Sequence, residues 1–166
     1  YFLKFKNYVM NIQNETKVST VNEKEFRESV MPRALLSKMA CEIALQKATE
    51  GNVKQFASWE LMEATTVINL LQDLDTIVSS LDNDSEAFLE RLKSLNGNGF
   101  DKVFMEAELS NHEFLLNLTQ DYIDGIEGKP SGKEENIWHV ANLAVFAFTE
   151  NVAICKRIVS EVSVNW

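Results

Sequence analysis

The scarcity of turn-forming residues is the feature that most limits how this chain can fold. Only 6 glycines and 2 prolines occur in 166 residues, so sharp turns are few. Few turns over this length favour a small number of long helices over the many short strands of a sandwich or barrel. We therefore expect an all-α fold, with residues 1–18 as an N-terminal arm or short helix and residues 19–166 as a single helical-bundle domain.

Apolar residues recur at three- and four-residue spacing, which predicts four long helices. We expect these helices over about residues 21–49, 53–81, 100–126 and 133–162. A capping box of Ser19 or Thr20 with Glu23 would begin the first helix, and Pro32 would kink or break it. In the second helix Glu60 occupies a position in the buried stripe, unless the stripe is rotated by one residue and leaves this carboxylate at its edge. The third helix is expected to bury Phe100, Phe104, Ala107, Asn111, Phe114 or Leu115, Leu118 and Tyr122.

The link between the second and third helices is long for two adjacent antiparallel helices. It spans residues 82–99 and contains one short predicted helix over residues 86–95. That helix and its extended flanks together are long enough to cross the whole bundle, which would make the second and third helices parallel. The sequence thus predicts a ferritin-like four-helix bundle with a short extra helix in the crossover between helices 2 and 3.

Charge and hydropathy exclude several classes of partner. A net charge of −9 disfavours nucleic acid and anionic membrane surfaces. We expect no transmembrane segment, because no uninterrupted apolar run approaches about 20 residues. The fourth helix is apolar on nearly every face from Ile137 to Phe148, which predicts either a central position or a homodimer through this helix. Cys41 and Cys155 lie in apolar stripes, which favours two buried free thiols over a bridge between them.

The chain has few residues with which to build a metal site. A di-iron carboxylate site requires Glu-x-x-His on two helices, and this chain contains no such motif. Glu108 and His112 are four residues apart and share a helix face, as do Glu135 and His139. A metal would have to bind Glu60, Glu108 and His112, with Glu63 as a further candidate. We expect no cofactor, no catalytic residue and no metal, and instead a hydrogen-bonded polar network inside the bundle.

Four stretches of the chain resemble a known family. They are residues 36–48, residues 52–57 beginning Asn-Val-Lys-Gln-Phe-Ala, residues 99–112 from Gly99 to His112, and the apolar run 141–148. In order and spacing they are similar to a bacterial family of unknown function with a ferritin-like helical bundle. The resemblance implies a periplasmic or outer-membrane-associated protein.

The chain departs from this family at three polar positions. The family usually carries an acidic residue followed by His where this chain has Glu63 and Ala64. It often has a second His near Val152, and a Glu where this chain has Arg33. Of the family's polar set, His112 and Glu63 remain.

Two functional hypotheses follow from the sequence. The first is a non-enzymatic envelope or secreted protein that acts through its surface. The alternative is a degenerate ferritin-like bundle with a metal-binding or redox- and stress-protective role. The second hypothesis requires His112 and at least two carboxylates to converge in the core, whereas the first requires an exposed apolar patch.

Overall fold

A computed structural model describes residues 21–78, 80–128 and 130–164, without the side chain of residue 133. These residues form four long helices and one short one, and none of them forms a strand, so the all-helical prediction is confirmed. The helices are α1 (Glu23–Lys47), α2 (Gly51–Asp73), α3 (Asn83–Ser94), α4 (Gly97–Asp124) and α5 (Lys133–Val164). The predicted arm over residues 1–18 lies outside the described residues, and the domain boundary at residue 19 stays a prediction.

Helix α1 begins with a capping box, two residues later than predicted. The Asn22 side chain accepts a hydrogen bond from the Glu25 backbone N–H (2.9 Å), and the Asn22 N–H donates to the Glu25 carboxylate (3.2 Å). The observed box is formed by Asn22 and Glu25, whereas Ser19 and Thr20 of the predicted box lie outside the described residues. Of the kink or break predicted at Pro32, the break is wrong, because α1 continues through the proline. Met31 and Ala34 are buried on either side of the proline, and this packing holds the helix together.

Helix α2 ends at Asp73, well before the predicted end near residue 81. Asp75 has a φ of 62°, the left-handed conformation that terminates a helix. The Thr76 N–H donates to the Leu71 carbonyl and the Asp75 N–H donates to the Gln72 carbonyl, both at 2.9 Å. This is a Schellman motif with aspartate at the position that glycine usually takes, so the sequence carries no glycine signal for the stop.

Side-chain contacts fix the directions of the helices. Helix α1 packs on α2 and α4, and α4 packs on α5. Ser37 contacts Glu108 and Thr49 contacts Asp101, so α1 and α4 run antiparallel. A turn of three residues makes α1 and α2 antiparallel as well. Helices α2 and α4 are therefore parallel, and the link that contains α3 runs the length of the bundle between them.

A buried aspartate fastens the turn between α1 and α2 to α4. The Asp101 carboxylate is 0% exposed and accepts hydrogen bonds from the backbone N–H groups of Thr49 (3.1 Å) and Glu50 (3.0 Å) and from the Thr49 hydroxyl. These donors precede the first turn of α2, where backbone N–H groups have no partner within the helix. Asp101 therefore fixes the position of α2 relative to α4.

Helix α5 has an unusually apolar surface. The segment Glu134–Val164 is long and apolar enough to cross a membrane by length and composition alone, and 22% of its most apolar stretch is buried. This finding weakens the expectation that the chain has no such segment. The same helix also contributes Ile137, Phe148, Ile158 and Val162 to the core, which is equally typical of a helix in a bundle.

Candidate functional site

A layer of polar side chains separates two apolar clusters in the core. One cluster includes Cys41 and Phe56, and the other includes Phe26, Ile68 and Leu71. Between them lie Ser37 from α1, Glu60 from α2, and Glu108 and His112 from α4. All four are at most 5% exposed. Burying polar side chains in the middle of an apolar core costs free energy unless they are paired with one another or with a ligand.

The distances in this layer are short enough for direct interaction. The Ser37 Oγ lies 2.8 Å from Glu60 Oε1 and 2.9 Å from Glu108 Oε2. The His112 Nε2 lies 3.1 Å from Glu60 Oε2 and 3.9 Å from Glu108 Oε2. The two carboxylates and the imidazole thus offer three ligand atoms within 4.8 Å of one another.

The position of Ser37 determines the protonation state of the metal-free site. A serine hydroxyl carries one hydrogen and can donate it to only one of the two carboxylates. The other contact is a hydrogen bond only if that carboxyl group is protonated and donates to the Ser37 oxygen. Both contacts are satisfied when one of the two carboxyl groups carries a proton.

The electrostatics assign this proton to Glu108. Burial raises the pKa of Glu108 to about 8, and the negative charge of Glu60 adds to the effect. For His112, burial opposes the charged form, but the contact with Glu60 and the charge of that carboxylate outweigh it and raise the pKa. The metal-free site thus favours a charged His112 paired with the Glu60 carboxylate beside a neutral Glu108, a combination without net charge.

The imidazole of His112 is confined but not hydrogen-bonded. The rings of Phe56 and Phe148 lie against it, with centroids 6.0 and 5.8 Å away. Among the described residues neither ring nitrogen has a hydrogen-bond partner of good geometry, although Glu60 Oε2 lies 3.1 Å from Nε2. Glu60 Oε2 is also buried without a hydrogen-bond partner among the described residues. Buried polar atoms without partners are uncommon in native proteins, and here they face one another.

This geometry is close to that of a metal-binding site. Two ligands that each lie about 2.0–2.2 Å from a zinc ion at tetrahedral angles are separated by roughly 3.3–3.6 Å. The 3.1 Å between His112 Nε2 and Glu60 Oε2 and the 3.9 Å to Glu108 Oε2 bracket this separation. The three atoms are therefore close to the separations that one ion requires.

The structure buries Glu60 where its position predicts, but the buried face of α4 differs from the predicted one. Glu60 is buried in the stripe, as its position predicts, rather than at the edge. In α4 the buried face is rotated by one residue, so that Glu108 and His112 face the core in place of the predicted Ala107 and Asn111. The predicted stripe followed the apolar residues, whereas the interior of α4 contains polar ones that pair with other helices.

Other candidates lie outside the cluster. The Glu135 and His139 pair is on α5, where His139 is exposed and packs on Trp138. Cys41 and Cys155 are buried free thiols, and burial raises the pKa of both.

Sequence reasoning missed two residues that interact with the acidic side chains of the site, Ser37 and Asn151. Ser37 was not distinguishable from any other helical serine, because its role depends on two carboxylates that are distant in sequence. Glu63 is half-buried, and its carboxylate accepts a hydrogen bond from Asn151 of α5 at 3.0 Å. Burial raises the pKa of Glu63, and so does the charge of Glu60. The fourth long helix thus borders the site through an amide rather than through a histidine.

Comparison with protein families identifies the chain. A family model described as Domain of unknown function (DUF4142) matches residues 10–130. The protein belongs to the DUF4142 family. The matched span includes Ser37 and the three candidate ligands, and it ends before α5. Comparisons with curated proteins and with solved structures gave no match.

Proposed function

We propose that this DUF4142 protein binds one divalent transition-metal ion in the core of its helical bundle. The ligands are Glu60, Glu108 and His112. The observation that carries the proposal is the convergence of three buried ligand atoms, of which the Glu60 oxygen and the His112 nitrogen lack hydrogen-bond partners among the described residues. The expectation from sequence that no metal binds was based on the small number of histidines and on the missing Glu-x-x-His motif, and that motif concerns a two-metal site.

Charge balance supports a divalent ion. Two carboxylates and a neutral imidazole carry two negative charges, which one divalent cation neutralises. In the metal-free state the same neutrality requires protons on Glu108 and His112. Metal binding therefore replaces protons, as is usual for sites whose ligands must be deprotonated. Carboxylate oxygens with one imidazole suit Mn²⁺, Fe²⁺ and Zn²⁺ better than the copper ions that thiolates select.

We further propose that the bundle is ferritin-like. The parallel arrangement of α2 and α4, with a crossover that contains α3, supports this topology. The site would then be a reduced version of a ferritin-like centre, with one ion held by two helices. Ser37 and Asn151 occupy the neighbouring parts of α1 and α5.

Metal titration of the metal-free protein tests the proposed function. Protein stripped with chelator is titrated with Mn²⁺ and with Zn²⁺ by isothermal calorimetry, and we expect one ion per chain. Glu60→Gln and His112→Gln should weaken binding by more than about 100-fold, beyond the effect of changing a residue that only surrounds the ligands.

Glu113→Gln is the matched control for this titration. Glu113 follows His112 on α4, but its side chain is exposed and pairs with Lys156 on the surface. This variant should bind metal as the unmodified protein does. Equal metal affinity in His112→Gln and Glu113→Gln, with both folded by circular dichroism, would reject the site.

A second candidate function uses the surface of α5. We propose that the protein acts in the cell envelope or after secretion, without catalysis, and that α5 forms a homodimer. Leu143 and Phe146 are 70% and 67% exposed, and large apolar side chains at such exposure are typical of interaction surfaces. Sedimentation should detect a dimer that Phe146→Ser disrupts and Thr149→Ser does not. A monomer at all concentrations would contradict the proposed dimer.

Fractionation of cells that produce the protein tests the proposed periplasmic or outer-membrane location.

A further inference from the structure

A narrow crevice between α1 and α4 leads to the polar layer. Its partly exposed wall includes Arg33 of α1 and Phe88 of α3, and its buried end is formed by Ser37 and Glu108. The crevice therefore connects solvent to one of the proposed metal ligands. A buried metal site needs such a path for its ion and for anything else that reaches it.

The buried end of the crevice is polar and has the size of a small ligand. The space measures about 10 Å³, close to the volume that one water molecule requires. Asn111 also lines it, and the side-chain oxygen of Asn111 is buried without a hydrogen-bond partner among the described residues. The Ser37 hydroxyl is the second hydrogen-bonding group at this end. Two polar groups beside a space of this size suit a small bound oxygen or nitrogen compound.

The number of protein ligands also indicates that a small molecule can bind beside them. Structural zinc sites are closed by four protein ligands, whereas sites with three leave a position for water or another small molecule. Glu60, Glu108 and His112 supply three. They come from α2 and α4 alone, so the side toward α1, where Ser37 and the crevice lie, has no protein ligand in this set.

We propose that the bound ion keeps an open coordination position facing this crevice, and that the position takes a water molecule exchangeable for a small monovalent anion. This inference rests on the proposed metal site. Arg33 near the mouth supplies positive charge that favours anions along the path. Exchange needs no redox step, because the anion donates a lone pair to the ion and the water molecule leaves.

Cobalt substitution tests the inference on the whole chain. Co²⁺ is added to the metal-free protein, and its visible absorption reports both that the ion is bound and how it is coordinated. Azide is then titrated in. We expect a saturable change in the Co²⁺ spectrum, with azide replacing the bound water. A bound Co²⁺ whose spectrum azide does not alter would overturn the open position while leaving the metal site intact. Absence of Co²⁺ binding would instead reject the metal site itself.

Two variants test whether azide reaches the bound ion through the crevice. Ala107 lines the crevice and is not itself a ligand, so Ala107→Leu fills the crevice and keeps all three ligand side chains. This variant should keep its Co²⁺ affinity and lose about tenfold or more in azide affinity, the order of effect of excess methylene groups in a pocket. Phe88→Ala opens the mouth and should accelerate the azide reaction. Unchanged azide affinity in Ala107→Leu together with an unchanged rate in Phe88→Ala would overturn the assignment of the crevice.

Discussion

Replacing Glu108 with glutamine should remove a pH dependence from the stability of the metal-free protein. Folding raises the pKa of Glu108 from 4.5 to about 8, so the folded chain keeps a proton that the unfolded chain has lost over this range. Stability from this group is complete at low pH and falls as the pH rises, by about 1.4 kcal/mol per pH unit. Glutamine has the shape of the protonated acid and does not titrate, so the variant should lack this decline.

Over about pH 5 to 6.5 a comparison of two variants isolates the effect, because Glu63, whose raised pKa also removes stability as the pH rises, is unchanged in both. The raised pKa of His112 also removes stability as pH rises, but only above its ordinary value of 6.5. Over this interval the unmodified protein should lose about 2 kcal/mol of unfolding free energy through Glu108. Urea denaturation in chelator measures it. Glu113→Gln removes the same charge from an exposed position on α4 and should keep the decline. Equal slopes in Glu108→Gln and Glu113→Gln would refute the protonation of Glu108.

Three further predictions concern the surroundings of the site. Asp101→Asn should lower the unfolding free energy by about 1–3 kcal/mol, because a buried acceptor of several hydrogen bonds is lost, whereas the exposed Asp121→Asn should change it little in the same urea titration. The thiols of Cys41 and Cys155, both buried and with raised pKa, should react with a chromogenic disulfide only after unfolding; two reactive thiols in the native protein would contradict their burial. Ser37→Ala should destabilise the metal-free protein by about 1–3 kcal/mol yet keep metal affinity within tenfold by calorimetry, and a complete loss of metal would show that the hydroxyl is itself a ligand.

The helices could be predicted from sequence because their apolar spacing is regular and turn residues are few. Their ends were predicted less well, and each error has a local cause. Asp75 stops α2 in a left-handed conformation for which sequence reasoning expects glycine. Pro32 does not stop α1, because buried neighbours hold the helix through it. In both cases the deciding interaction involves atoms that a residue-type pattern does not contain.

The residues of the candidate site could be predicted from the sequence, but their arrangement could not. Glu60 interrupts an apolar stripe, and Glu108 and His112 are spaced to share a helix face, so all three could be named in advance. Their convergence could not, because the buried face of α4 is chosen by contacts with Ser37 and Glu60 on other helices. Apolar spacing alone placed Asn111 inside, one residue from His112. A polar layer in a core is specified by pairs of residues, and one sequence does not reveal which residues pair.

Anomalous diffraction from crystals of the protein grown with Mn²⁺ tests the central claim most directly. The account predicts one strong peak per chain, at bonding distance of about 2.0–2.3 Å from oxygens of Glu60 and Glu108 and from His112 Nε2. It also predicts that the peak disappears in crystals of His112→Gln. A peak that lies only at surface carboxylates, or no peak inside the bundle, would contradict the assignment of a metal site to this polar layer.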